Sequence, residues 1–505
     1  MIIDANTHVW LNGGRGGWEL FVDECRANQV SHAVLSCLGA SQNPNPAEIR
    51  AANAEGKLFE AFAKGLAHWL AYINPQNGNW REELDLCLKE GAIGIKLWIS
   101  LKDADGNPAR AYEVVEHAAG RQLPVLVHVF DRTDPSLPGE FDPEEFIALA
   151  ERFPDATLIA AHAKGDWRRC LGALRERAPN AYVDLCGCYP RRGSTEQVVR
   201  QLGADRVLFG SDMIGRSVSS QLAKVAFADL SDEDRELILW RNAARAYKLA
   251  MEEDAIMRPA PSGGLRPAST LPDLEVDHFC FCGVWPFFDT PCRVPAELHA
   301  ALERHGIRKA HAADLSAFYK SDLEAANNTF LRACAGLARI APLAMVNPTA
   351  RDWRLTVKGV AGGFAGVIVS PYLHGWRLDD NAHASLFKEL ADRSIPVWIN
   401  TAFDDYRFRH SGQNCRNVSQ EELLAFCASA PGNSYVFQGV AQPTVEAWLE
   451  TGRRGDGFKF EISRLTDSTG ALASALRKGA LPHLVLGSEF PLRDIREVAW
   501  TAQRL

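Results

Sequence analysis

The chain has no stretch approaching ~18 uninterrupted apolar residues, so no membrane-spanning helix is expected. It also lacks an excess of basic charge: 55 Lys and Arg stand against 63 Asp and Glu, a formal charge of -8 with a pI near 6.0. That balance gives no electrostatic reason to expect nucleic acid or an anionic membrane as a partner. Met1 leads directly into an apolar strand-like run, which leaves no room for a basic segment followed by a signal core. The 12 cysteines are scattered, several inside apolar runs such as VLSCLG and VDLCGC. They read as buried reduced thiols of a cytoplasmic protein, not as a disulfide framework. No G-x-G-x-x-G phosphate loop is present either. GGRGG (13–17) lacks that spacing, and is expected to be a mobile mouth loop with Trp18 at its far end.

What is present is regular. At 505 residues, with 47% hydrophobic and 23% charged content, the chain is a globular protein too long for one ordinary core. The segment from Met251 to Asp273 is rich in Pro, Gly and Ser without sustained periodicity. It is expected to be a linker, giving domains at 1–252 and 274–505 with a linker at 253–273. The first half alternates eight apolar runs (IIDANTHVW, HAVLSCLG, LAHWLAYINP, AIGIKLWIS, PVLVHVF, ATLIAAHA, AYVDLCGC, RVLFGSDM) with helical stretches such as WREELDLCLKEG. Eight such units in ~250 residues match a (β/α)8 barrel. The second half repeats the order: GLARIAPLAMVNPT answers GLAHWLAYINPQN, GGFAGVIVSP answers GAIGIKLWIS, and SIPVWINTAFDD answers QLPVLVHVFDR. HLVLGSEFPLR likewise answers RVLFGSDMIGR. The fold class expected is α/β, as two tandem TIM-like barrels arising by duplication.

Parallel barrel strands are buried on both faces and should be almost wholly apolar. Polar side chains that interrupt them therefore mark the mouth, where their burial cost can be met. In the first half these are Asn6 and His8 on the first run, Lys96 on the fourth, His128 on the fifth, His162 on the sixth and Asp212 on the eighth. Imidazoles with a carboxylate suit Zn2+, Mn2+ or Fe2+, which lower the pKa of a bound water that Asp212 could then deprotonate. Each residue also has a plainer explanation. A strand-end histidine is often a hydrogen-bonded core residue, Lys96 could pair with a carboxylate, and Asp212 could cap a helix. Trp98 and Arg216, close in sequence to Lys96 and Asp212, are candidates for substrate binding or ordinary rim packing. Cys186 and Cys188 share a face of the seventh run and are expected to be buried small hydrophobes.

The segments DANTH, GIKLW, VLVH, AAH, LGADRVLFGSDM and RNAARAYKL resemble the amidohydrolase superfamily, in particular its amidohydrolase-related branch of decarboxylases and lactonases. The resemblance spans roughly residues 1–250. It implies His8, His128 and Asp212 as metal ligands, His162 as an acid-base or substrate group, and Lys96 as a partner for a substrate carboxylate or lactone oxygen. It further implies a hydrolase acting on a small carboxylated molecule with one divalent metal, zinc first and manganese or iron as alternatives. A decarboxylase of the same family, or a metal-free binding scaffold, are the rival expectations. The departure is Asn6, where the family carries histidine. An amide oxygen is a weaker donor toward zinc, so Asn6 as a weak ligand, as the holder of a ligating water, and as the mark of a metal-free site all remain open.

The second half carries Phe279 and Phe281 at the positions of Asn6 and His8. Ile368 stands for Lys96, Asn400 for His128, Gly439 for His162 and Glu489 for Asp212. Cys280 and Cys282 should point outward under the helices, and His374 and His410 should lie in loops. A degenerate pseudoenzyme domain is expected, supplying within one chain the partner face that barrels of this family find in a homodimer. Further homo-oligomerisation is left open.

Overall fold

The computed structural model describes residues 1–39, 41–164, 167–251, 275–287, 290–403, 405–409, 412, 415–452 and 457–504. The expected linker at 253–273 and His410 lie outside the described residues. The chain divides into two compact units, Met1–Leu265 and Arg266–Gln503. Among the described residues no helix is long and apolar enough to cross a membrane, and no two cysteines form a disulfide.

The first unit contains β1 (Ile3–Trp10), β2 (His32–Leu38), β3 (Ala67–Trp69), β4 (Ala71–Ile73), β5 (Ile95–Leu97), β6 (Pro124–Val127), β7 (Thr157–Ala160), β8 (Ala181–Asp184) and β9 (Val207–Leu208). All neighbours pair in parallel and in chain order. β3 and β4 are parted only by Leu70 and together form the third expected strand. The ends meet through Ala5 N donating to Phe209 O at 2.9 Å, Asp212 N donating to Asn6 O at 2.9 Å, and a Thr7–Met213 bridge. The eight expected runs are the strands of an α/β barrel.

A bulge re-aims the first strand. The pairing of β1 with β2 shifts register between Asp4 and Thr7. Ile3 and Ala5 therefore join Val34, Leu70, Leu126, Ile159 and Leu208 in the interior, while Asn6 and His8 also face inward above them. A strict period of two cannot place both pairs on one face; the extra residue of a bulge does. Tyr247, after the helix Asn242–Ala246, packs on this interior cluster and donates its hydroxyl to Ala5 O at 2.9 Å.

GGRGG is not a mouth loop. Gly14 opens the helix Gly14–Ala27, whose Phe21 and Cys25 are buried. Trp18 packs against Phe59 and Phe62 at ring distances of 5.6 and 5.5 Å. The apolar positions from Trp18 onward recur at helical spacing, and their burial outweighs the weak helix preference of the three glycines.

The second unit contains β10 (Val276–Cys282), β11 (Lys309–Asp314), β12 (Ile340–Met345), β13 (Gly366–Val369), β14 (Val397–Asn400), β15 (Tyr435–Gln438), β16 (Phe458–Glu461) and β17 (Leu484–Val485), a parallel eight-stranded sheet in chain order. Its ends approach through His278 N to Leu486 O at 2.7 Å and Glu489 N to Phe279 O at 3.0 Å. Phe279 and Phe281 lie in the inner cluster with Trp285, Phe318, Ile368, Tyr372, Trp398 and Phe403. Cys280 and Cys282 belong to the outer cluster with Leu298 and Leu302 of the helix Pro295–Arg304. His374 ends the short helix Pro371–His374 instead of lying in a loop. Phe281 rings contact Phe279 at 5.4 Å and Phe403 at 5.0 Å. Phe281→Ala is expected to cost about 3–5 kcal/mol, read as a lower denaturation midpoint with metal content unchanged.

Candidate active site

The side chains that interrupt the first barrel's strands gather at its C-terminal mouth. Asp212 follows β9 in a left-handed conformation, φ 63°, and His162 follows β7 with φ 70°. Such backbone angles cost a non-glycine residue about 1 kcal/mol or more, and persist where surrounding contacts dictate them. The contacts here are specific. Asp212 N is tied to Asn6 O, and His162 N donates to Asp184 Oδ1 at 3.1 Å.

His8 Nε2 faces Asp212 Oδ1 at 3.3 Å, while its Nδ1 sits 2.9 Å from Ser36 Oγ. Burial lowers the His8 pKa below its ordinary value, against the opposing hydrogen bond that His8 donates to Asp212. Burial alone would raise the Asp212 carboxyl. The His8 hydrogen bond and the charges of His162, His8 and Lys96 outweigh it and hold the group well below the usual carboxylate range. Lys96 is buried in β5, with no hydrogen bond or ion pair among the described residues. Desolvation lowers its pKa, opposed by Cys186, Asp184 and Asp212.

His128 is held by a residue that sequence reasoning missed. Its Nε2 lies 2.9 Å from Glu140 Oε1. Glu140 also accepts from Arg132 Nε at 2.6 Å and Leu137 N at 3.1 Å. An ionised carboxylate only accepts, so the neutral imidazole carries its proton on Nε2 and leaves the Nδ1 lone pair free. Its ring lies 5.0 Å from that of His162. Burial opposes the Glu140 charge, but its bonds to His128 and Arg132 prevail and bring its pKa down to about 2. A depressed carboxylate stabilises the fold fully above the unfolded value near ~4.3 and loses that contribution as pH falls toward its folded value. Glu140→Gln should therefore flatten the stability loss between pH ~4 and ~2 in acid titration. It should also weaken metal affinity about 10–100-fold by releasing the His128 ring.

Asn6 turns its amide nitrogen away from a ligating role. Nδ2 donates to Asp184 Oδ2 at 2.9 Å and to Cys186 Sγ at 3.1 Å. Its Oδ1 is buried and has no hydrogen-bond partner among the described residues. Cys186 Sγ also lies 3.3 Å from His162 Nδ1. β8 ends at Asp184, so Cys186 lies beyond the strand, and its thiol meets the polar groups of the site. Cys188 is buried without such neighbours at its sulfur among the described hydrogen bonds. Among the described residues, one group of three potential ligands has donor atoms all within 4.8 Å of one another: His162, Cys186 and Asp212. His8 and His128 border that group without belonging to it. Trp98 packs edge-on against Trp10 at 6.2 Å and Tyr72 at 6.4 Å, and the Arg216 guanidinium lies 4.7 Å from the Tyr189 ring centre.

The donor set fits a divalent cation: it offers the His8 and His162 imidazoles, the ionised Asp212 carboxylate, the Cys186 thiol and the buried Asn6 amide oxygen. Residues 3–249 match the family model described as Amidohydrolase. These residues are an enzyme domain of the amidohydrolase family. Among solved structures, the amidohydrolase domain is similar to a dihydroxybenzoic acid decarboxylase from a Polaromonas species, crystallised with manganese and 2-nitroresorcinol. That likeness has 17% identity and a TM-score of 0.40, and covers 50% of this chain and 98% of that one. A 4-oxalomesaconate hydratase from Rhodopseudomonas palustris shares 16% identity, with a TM-score of 0.39 over 49% and 96% of the two chains. An amidohydrolase from Burkholderia multivorans with bound HEPES shares 16%, with a TM-score of 0.39 over 50% and 100%. No curated protein sequence matches the chain.

Proposed function

We propose that the amidohydrolase domain is a metal-dependent hydrolase acting on a small carboxylated lactone or amide at the first barrel's mouth. The observation that carries this reading is the convergence of His162, Cys186 and Asp212, with His8 3.3 Å from Asp212. A divalent ion, zinc first, would be held among His8, His128, Asp212, Asn6 and His162, where it would supply Lewis acidity and acidify a water. Asp212, kept ionised, is the proton acceptor. Asp212 then hands that proton on to the leaving group. Lys96, buried in β5 and without a hydrogen bond among the described residues, pairs with a substrate carboxylate or lactone oxygen. Glu140 keeps the His128 ring oriented.

The second barrel is proposed to be a degenerate copy, supported by backbone ties that its changed side chains do not require. Asp4 Oδ1 accepts from Ser211 N at 2.9 Å and Asn6 N at 3.3 Å; Asp277 Oδ1 accepts from Ser488 N at 3.1 Å and Phe279 N at 3.0 Å. His162 N on Asp184 is matched by Gly439 N on Glu461 Oε1 at 2.8 Å. Gly439 and Glu489 keep the positive φ of His162 and Asp212, at 83° and 54°. Its mouth is filled instead by phenyl rings and a chain of bonds in which Asn400 Nδ2 donates to Gln438, and Gln438 Nε2 to Glu489.

The deciding experiment is elemental analysis with a substrate panel of carboxylated lactones and amides, before and after chelation. Turnover lost on chelation and restored by one equivalent of zinc, manganese or iron supports the reading. Carbon dioxide release without hydrolysis would move it to a decarboxylase. A chain that is metal-free as purified and takes up none would leave a binding scaffold.

A further inference from the structure

The residue that confronts Asn6 across the site is Cys186. Its burial alone needs no function, since free cysteines commonly behave as small hydrophobes. Its neighbours are harder to explain that way. The sulfur lies 3.1 Å from Asn6 Nδ2 and 3.3 Å from His162 Nδ1, and it shares a 4.8 Å donor group with His162 and Asp212. Ligands bound tetrahedrally at about 2.0–2.3 Å are about 3.3–3.8 Å apart. The Cys186–His162 and His8–Asp212 separations, both 3.3 Å, match that edge.

The backbone holds this arrangement. One oxygen of Asp184, Oδ1, accepts both Cys186 N at 3.0 Å and His162 N at 3.1 Å, while Oδ2 takes Asn6 Nδ2. A Cβ on Gly187 would stand 2.1 Å from His162 Nδ1, and one on Gly210 would stand 3.1 Å from Asn6 Cβ and 3.3 Å from Cys186 Cβ. Gly187 must therefore be glycine for His162 to stand where it does, while a side chain at Gly210 would press its neighbours apart by a few tenths of an ångström.

We propose that Cys186 is a ligand of this domain's metal, its thiolate joining His162 and Asp212 in place of the imidazole that Asn6 removes. The inference rests on the metal-dependent reading above. Ligation breaks the Sγ–H bond and forms an Sγ–metal bond, and the proton leaves to solvent, so metal uptake releases a proton. Asn6 Nδ2 then donates to the coordinated sulfur. A donor set with sulfur, nitrogen and carboxylate favours zinc over manganese. In the second barrel the corresponding residue, two beyond Glu461, is Ser463.

X-ray absorption of the zinc-loaded full-length protein tests this without a mutation. One sulfur at about 2.3 Å beside nitrogen and oxygen at about 2.0–2.1 Å is expected, and a shell of nitrogen and oxygen only overturns the inference while leaving the metal-dependent reading intact. In the cobalt-loaded protein, Cys186→Ser should keep its circular dichroism, lose the thiolate charge-transfer band and bind zinc more than ~100-fold less tightly, beyond the ~10–100-fold typical of losing an outer partner. Cys188→Ser should keep the band. A band that survives Cys186→Ser overturns the inference, and a chain that binds neither zinc nor cobalt overturns both it and the reading beneath it.

Discussion

Asp212→Asn should purify folded and nearly metal-free, with affinity for zinc reduced at least about 100-fold, or about 2.7 kcal/mol. The substitution is close to isosteric, and asparagine tolerates the left-handed conformation that Asp212 adopts at φ 63°. Its backbone ties to Asn6 O and Arg216 N can therefore persist. What disappears is a charge that the surrounding groups are arranged to keep: His8, His162 and Lys96 all hold the carboxylate ionised against its burial. Without it, Lys96 retains Asp184 and Cys186 as the remaining groups that favour its charge, so its pKa should fall further. Elemental analysis after desalting and a competition titration with a chelator read the result. A variant that keeps one tightly held metal would mean that the ion lies elsewhere.

Gly187→Ala is expected to be strongly damaging at the first barrel's mouth. Gly187 has φ 77°, which costs an L residue about 1–2 kcal/mol, and the added methyl would lie 2.1 Å from His162 Nδ1 and 3.2 Å from Asp212 Oδ2. His162 cannot yield easily, because its own backbone is strained and pinned to Asp184. Strain and forced repacking together predict a loss of about 2–4 kcal/mol, seen as a Tm lower by on the order of 10 °C. Metal affinity should fall with it. Gly16→Ala is the control: nothing lies within 4 Å of a Cβ there, and the residue is helical. Alanine should be neutral or stabilising by about 0.5–1 kcal/mol. Equal behaviour of the two variants would refute the close packing described around His162.

The comparison of sequence with structure follows the same physics. Strands buried on both faces write long apolar runs, which is why all eight strands of the first unit were legible. Where the runs shorten or carry charge the signal fades, as in KAHAAD of β11 and FKFE of β16. Polar interruptions were legible as candidates for the mouth, since a buried charge is tolerated there and costs energy elsewhere. Asp184 carries the same mark, a carboxylate closing a strand, and could have been read. Glu140 could not: it returns to His128 from a loop, through the Val129–Phe141 bridge, and no periodicity records that.

The sequence by itself determined the alternation of strand and helix, the barrel class, the family of the first 250 residues and the strand-end polar residues that are candidates for its site. These follow from local burial patterns and from motifs written within single segments. Tertiary structure alone decided how those side chains meet: the bulge in β1 that turns Asn6 and His8 inward, the helix that absorbs GGRGG, the hold of Glu140 on His128, and the place of Cys186 between Asn6 and His162. The reason is that distances between strands depend on closure of the barrel and on glycines that let backbones approach. Residues far apart in the chain do not carry that information singly.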